Sequence, residues 1–330
     1  LINIQKAPYQ GILLPDLGIG LDLGKSWAEH AIVSHAHADH IPKRSDLNCW
    51  ATPVTTALMR ARGFRGKVNE LPFYEWVDLG KAQFQLLPAG HILGSAMVHI
   101  KIADGESLLY TGDYRFPAAP SSDGFQLPEK IDYFITEATF ALPIYKWKSH
   151  DVLFEQIRRE AFEALAEGIT PIFLAYSLGK TQEILVALKD AALPVQVHGA
   201  AVELCKIYVE NGVDLGNYEP YQREIAADKV LITPSSALAA GFASNVKKTR
   251  LIYVSGWATV EARRAQTGVD SLVPLSDHID FFELLEVCKK LNPKKIWVTH
   301  TPDATVLNHF LGEMGFDAEF LEFERQEQDL

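Results

Sequence analysis

The chain has 330 residues, 48% of them hydrophobic and 22% charged, which supports a full core in one large or two ordinary domains and excludes a disordered polypeptide. A formal net charge of −11 argues against a surface coated in basic residues for gripping long nucleic acid, and three widely spaced cysteines, Cys49, Cys205 and Cys288, indicate neither a disulfide framework nor a thiolate zinc site. No stretch approaches the ~18 continuous apolar residues of a membrane span, and Leu1 to Lys6 lacks a charged segment leading into an apolar block, so a reducing cytoplasm is the expected location.

Leu1, where methionine is usual, points to an unusual start codon or a trimmed terminus. Short strands are predicted over Gly11 to Leu14, Ile19 to Leu23, Ala31 to Ser34, Phe84 to Pro88, Ala96 to Ile102 and Ser107 to Thr111, punctuated by Gly, Pro and Asp. Thr55 to Arg62 is the clear early helix and Ile131 to Thr136 a buried-type strand, so this part reads as an α/β sandwich with helices outside. From about Ser149 helix and strand alternate, the pattern of a parallel sheet. Ser149 or Asp151 caps a helix with Phe154, Ile157, Ala161 and Leu165 on one face, ended by Gly168. There follow a strand at Pro171 to Leu174, a helix at Gly179 to Lys189, a strand at Val195 to Val197, a helix at Ala200 to Glu210, and strands at Val230 to Ile232 and Leu251 to Val254. Asp280 then caps a helix over Phe281 to Leu291 with Glu283 as its capping-box partner. Lys295 to Thr299 is a strand, Asp303 to Met314 a helix, and the polar tail Glu322 to Leu330 is expected to fray.

The chemistry concentrates where apolar strands end. His35-Ala36-His37-Ala38-Asp39-His40 packs three imidazoles and a carboxylate into six residues directly after Ala31-Ile32-Val33. So many groups that are costly to bury, at one strand end, outline a dinuclear metal site, and imidazole with carboxylate suits zinc or a related first-row metal. Four more polar elements end apolar strands: Gly90-His91, Thr111-Gly112-Asp113, Ser276-Asp277-His278 and Thr299-His300. His30, His99, His150, His198 and His309 lie outside every motif and read as packed or surface residues.

With Asp22 in Leu21-Asp22-Leu23-Gly24, the order of these elements resembles that of the metallo-β-lactamase superfamily along nearly the whole chain. The resemblance implies an αββα sandwich in which His35, His37 and His91 hold one divalent cation, Asp39, His40 and His278 hold another, and Asp113 bridges them, with Asp22 orienting the ligands. Zinc is the foremost expectation and manganese the alternative. Asp113 and His278 stand 165 positions apart, room for an inserted α/β module. Such an insert resembles the β-CASP domain of superfamily members that cut nucleic acids, and divides the chain into 1–145, an inserted 146–265, and 266–330. Thr136-Glu137-Ala138-Thr139 is similar to the first β-CASP motif, His278 to the second and His300 to the third.

Ala175-Tyr176-Ser177-Leu178-Gly179-Lys180 forms a strand-to-helix turn whose geometry suits a phosphate, which makes Ser177 and Lys180 candidate substrate contacts. This Gly-Lys and Ser255-Gly256-Trp257 resemble the Artemis-type DNA branch, whereas histidine at position 300 resembles the RNA branch. The mixture is similar to bacterial ligase-associated DNA exonucleases, which implies a DNA-cleaving enzyme of end repair with an ATP-dependent DNA ligase and a helicase as functional partners.

Phosphodiester hydrolysis needs a prepared nucleophile and positive charge beside the phosphoryl oxygens. A cation pair held by these residues, Asp39 and Asp113 among them, would activate a hydroxide. The leaving sugar oxygen needs a proton, for which His300, oriented or charged by Glu137, is the candidate general acid. An RNA-processing nuclease shares all this chemistry and is the main alternative. A small-molecule esterase or thioesterase would need no second module, and a non-catalytic subunit would be expected to carry degraded ligands.

Overall fold

A computed structural model describes residues 2–321; the tail from 322 to 330 lies outside the described residues. The architecture is mixed α/β with three sheets, in two compact units, one made of residues 2–146 with 278–321 and the other of 147–277.

In the first unit, β1 (Gln5–Lys6), β2 (Ile12–Leu14), β3 (Ile19–Leu21), β4 (His30–Ile32), β5 (Cys49–Ala51) and β6 (Val68–Glu70) form a six-stranded sheet in chain order. A second sheet collects β7 (Val77–Asp78), β8 (Ala82–Pro88), β9 (Ala96–Ile102), β10 (Ser107–Tyr110) and β11 (Tyr133–Glu137), then β18 (Lys295–Thr299) and β19 (Ala318–Leu321) from the chain's last part. Its order is β19-β18-β11-β10-β9-β8-β7. One apolar core joins Ile12, Leu14, Leu21 and Ile32 of the first sheet to Phe84, Val98, Ile100, Leu108 and Ile135 of the second. The other face of the second sheet, carrying Leu87, Met97, Leu109 and Phe134, packs under α7 (Phe281–Leu291) and α8 (Ala304–Glu313). Period-two alternation therefore sends successive side chains of these strands into two different cores.

Strand direction decides where polar residues gather. β10, β11 and β18 run parallel, and β8 is antiparallel to β9, which is antiparallel to β10, so β8 also runs with them. The carboxyl ends of β8, β10, β11 and β18 thus share one sheet edge. The exit of β4 reaches the same place, because Ala96 N–H donates to the Ser34 carbonyl at 2.8 Å.

Two helices of this unit show how local sequence sets their starts. α1 (Pro53–Ala61) begins two residues before the predicted Thr55, because Thr52 accepts the Thr55 N–H at 3.1 Å and Pro53 suits the first turn. At α7 the expected capping box is present: Asp280 accepts the Glu283 N–H at 2.8 Å and Glu283 accepts the Asp280 N–H at 2.9 Å. Glu283 also accepts from the buried Arg115 at 2.6 Å, tying the loop after β10 to the start of α7.

The second unit is a parallel sheet of β12 (Thr170–Leu174), β13 (Val195–Val197), β14 (Glu219–Pro220), β15 (Val230–Thr233), β16 (Thr249–Val254) and β17 (Ser271–Val273), in the order β14-β13-β15-β12-β16-β17. Its helices are α2 (His150–Ala166), α3 (Lys180–Leu188), α4 (Gly199–Glu210), α5 (Ser235–Ala239) and α6 (Ala262–Thr267). β12 and β15 are buried along their whole length, as strands covered on both faces must be. Ser149 stands at the start of α2 but makes no side-chain capping bond.

Candidate metal centre

The expected donors of the first unit converge. After β4 the chain turns tightly, with the His40 and Ile41 N–H groups donating to the His37 carbonyl at 3.0 and 3.2 Å, and this brings His35, His37 and His40 to one side. His37 Nδ1 lies 3.1 Å from both His35 Nε2 and His91 Nε2. Asp113 Oδ2 lies 3.5 Å from His35 Nε2 and 3.9 Å from His91 Nε2, closing the first group. The same oxygen is 3.5 Å from His40 Nε2 and 4.0 Å from His278 Nε2, while Asp39 Oδ2 is 3.7 Å from His40 Nε2. Asp113 is thus common to both donor groups. It reaches that point because Gly112 takes a left-handed backbone (φ 54°) beneath Ser34, where a Cβ would stand 2.5 Å from the serine hydroxyl.

The donor set fits a divalent cation. Ligand atoms at about 2.0–2.1 Å from a tetrahedral zinc lie about 3.3 Å from one another. Four distances within the first group, of three nitrogens and one carboxylate oxygen, run from 3.1 to 3.9 Å, and all its ligand atoms lie within 4.8 Å of one another.

Imidazole orientation is set from behind. Asp22 accepts from the Ser34 N–H at 2.7 Å, the Ser34 hydroxyl at 2.6 Å, the Tyr110 hydroxyl at 2.8 Å and His40 Nδ1 at 2.8 Å. The Ser34 hydroxyl also meets His35 Nδ1 at 2.9 Å, and Glu137 meets His278 Nδ1 at 2.9 Å. With Nδ1 engaged in His35, His40 and His278, it is Nε2 that faces the cluster, the arrangement by which outer groups fix a ligand's tautomer. Ser34 and Tyr110 were not singled out from sequence, since a serine and a tyrosine in strand-like runs carry no motif signal.

Charge is under tension here. Burial, then the surrounding His40, His91 and His37, hold His35 well below its ordinary pKa, so it stays neutral, the form that can bind a cation. Burial alone would lower His40, but Asp113, Asp39 and Asp22 raise it to about 10. Burial pushes Asp113 up to about 7 against the pull of His40 and His278. Glu137 is held below the usual carboxylate range: burial opposes this, but His278 and the Thr139 N–H outweigh it. A bound dication would supply the positive charge that these buried carboxylates lack.

Other expected residues fall differently. Glu137 spends its carboxylate on His278 and the Thr139 N–H, so the group it orients is His278. His300 is exposed at the end of β18, with φ 55°, its Nδ1 3.1 Å from the Thr299 hydroxyl, and it lies within electrostatic reach of His40, Glu137 and Asp39. The expected phosphate contact at Lys180 is overturned. In the second unit its side chain is 2% exposed, with Nζ 2.6 Å from Asp277 and 3.4 Å from Glu183. The neighbouring Gly179 N–H already donates to Gln182 at 2.7 Å. Ser177, half-buried beside it, accepts at its carbonyl from the Gln182 side chain at 3.0 Å.

The chain is 32% identical over 310 residues, 93% of its length, to a protein of Opitutus terrae described as a probable DNA ligase, of which it covers 30%. It is 26% identical over 248 residues to an RNase J-like protein of Methanocaldococcus jannaschii, covering 62% of this chain and 57% of that one. A third relative, cleavage and polyadenylation specificity factor subunit 3-I of Arabidopsis thaliana, matches at 29% over 125 residues, 38% of this chain and 18% of the relative. This chain therefore spans less than two thirds of each of these relatives. A crystal structure of an Enterococcus faecalis protein of unknown function shares the fold, with a TM-score of 0.61 at 13% identity over 91% of this chain and 80% of that one. No family model matches the chain. Fold, donor order and relatives together define a protein of the metallo-β-lactamase superfamily. Within it, this chain belongs to the β-CASP nuclease family.

Proposed function

We propose that the protein is a metal-dependent nuclease that hydrolyses phosphodiester bonds of DNA, acting as an exonuclease in end processing and repair. The observation that carries this reading is the convergence of four imidazole nitrogens within 4.0 Å of one carboxylate oxygen, Asp113 Oδ2. In this reading the first unit is the αββα sandwich and residues 147–277 are the inserted β-CASP module. His35, His37 and His91, grouped with Asp113, would hold one cation, and Asp39, His40 and His278 would hold the other, with Asp113 serving both; zinc is the foremost candidate and manganese the alternative. When bound, such a pair acidifies water and neutralises phosphoryl charge. The chain's own residues do the rest. Asp22, Ser34 and Glu137 keep the imidazoles turned inward, and His300 at the exposed rim gives a proton to the leaving sugar oxygen.

DNA is favoured because a relative matched over 93% of this chain is described as a probable DNA ligase; an ATP-dependent DNA ligase and a helicase as functional partners belong to the same proposal. RNA is the second reading, supported by relatives described as ribonucleases and by histidine at position 300. A cytoplasmic location belongs to the same proposal; among the described residues no helix is long and apolar enough to cross a membrane.

Metal-loaded protein incubated with matched DNA and RNA strands, labelled at either end, tests the reading in one gel. Cleavage of DNA from one end is expected, and preference for RNA would select the second reading. Asp113→Ala should abolish hydrolysis and lower metal content while leaving the circular dichroism spectrum native; full activity in that variant, or after exhaustive chelation, would sink the dinuclear assignment. His300→Ala should slow turnover by roughly 10²–10⁴-fold with metal content unchanged, and an unaltered rate would remove its acid role.

A further inference from the structure

Three loops of the first unit share a rim. The Ser26 hydroxyl donates to the Pro8 carbonyl at 3.1 Å, and the Lys43 N–H donates to the Gly24 carbonyl at 2.8 Å, so residues 7–11, 23–28 and 38–46 are tied together. The rim is joined to the metal centre on both sides. Lys43 Nζ donates to the Ala38 carbonyl at 2.5 Å, inside the ligand turn. Gly11 (φ 87°) lies so close beneath Asp22 that a Cβ there would stand 2.5 Å from the Asp22 carbonyl oxygen.

Two large aromatic side chains stand out from this rim, Tyr9 at 70% and Trp27 at 60% exposure. Tyr9 has φ 75°, a left-handed backbone that an aromatic residue rarely adopts. Folding alone would favour glycine or asparagine there, so the conformation points to a use for the ring. Lys25 Nζ sits 4.9 Å from the Tyr9 ring centroid, Lys43 is exposed beside it, and the exposed Arg62 is within electrostatic reach of Asp39. Among the described residues none of these three cations has a carboxylate within 4.0 Å, although the chain as a whole carries −11; Arg44, by contrast, is matched by Asp46 at 2.6 Å.

Exposed aromatic faces interleaved with unmatched cations are the chemistry of an unpaired nucleic-acid strand, whose bases stack and whose phosphates pair. We infer that the Tyr9, Lys25, Trp27 and Lys43 rim receives a single-stranded segment of the substrate, an inference that rests on the nuclease reading. Trp27 and Tyr9 stack bases, and Lys25, Lys43 and Arg62 contact phosphates leading to the metal centre. A duplex offers no free base face to these rings.

The test reads binding, so it stands apart from cleavage. Metal-loaded protein is titrated with a phosphorothioate twelve-residue oligothymidylate while tryptophan fluorescence is followed. Quenching is expected, Trp27→Phe should remove most of it, and Trp27→Ala and Tyr9→Ala should each raise Kd about tenfold. Lys25→Ala with Lys43→Ala should reduce the slope of log K against log salt by about 1.4, at ~0.7 per single-strand phosphate contact. Metal content and the circular dichroism spectrum, measured on each variant, should match the parent. Unchanged Kd values in both aromatic variants, no binding by the parent, or equal losses for a blunt duplex would each overturn the inference. A parent that binds the strand through Trp27 yet cuts neither DNA nor RNA would overturn the nuclease reading alone.

Discussion

Asp22 carries more of the candidate metal centre than its place behind the imidazoles suggests. It is 1% exposed, and its carboxylate collects four hydrogen bonds, two from Ser34, one from Tyr110 and one from His40. Replacing it with alanine strands those partners and frees two imidazoles, His40 directly and His35 through Ser34, to rotate. Asp22→Ala should therefore weaken metal affinity about 10–100-fold, read by competition with a chromogenic chelator; unchanged affinity would reduce Asp22 to a turn residue. The candidate donors stand out in the sequence because each is an anomaly, a group costly to bury placed at the end of an apolar strand. Ser34 and Tyr110 do not, because their importance comes only from facing Asp22 across 12 and 88 positions of chain. Glu137 was legible as a motif residue, but its partner was not, since His278 lies 141 positions away.

At the scale of elements, the start of α3 shows how a local pattern misleads. A lysine after a glycine at a helix N-terminus reads as an anion site when its surroundings are unknown. Here Asp277 and Glu183 close over Lys180, and burial converts the same residue into a structural cation. Lys180→Met would remove the buried cation between Asp277 and Glu183, a change that costs about 3–5 kcal/mol. A lowered midpoint in denaturant-induced unfolding is expected; a selective loss of binding to phosphorylated ends at full stability would restore the anion-site reading. Longer elements such as β9, α2 and α7 declared themselves through periodicity and caps. β5, β6 and β14 did not: at two or three residues each is too short to repeat a pattern and, unlike β2 or β13, was set off by no predicted strand run, so it owes its existence to neighbours in the sheet. The Arg115 to Glu283 link is invisible for the same reason, spanning 168 positions with no pattern in between.

Across the whole molecule, the sequence changes rhythm near Ser149, from short punctuated strands to alternating helix and strand, close to where the second compact unit begins at Trp147, whereas nothing in the sequence marked its end at Asp277. The same division has a consequence for how the protein is made. His35, His37, His91 and Asp113 leave the ribosome early, whereas His278 follows 165 residues after Asp113. At about 5–20 residues per second of synthesis, that interval lasts roughly 10 to 30 s. A nascent chain has the residues of its first donor group during this time but lacks His278 of the second. The interruption of the first unit by residues 147–277 thus sets the order in which the residues of the two donor groups become available.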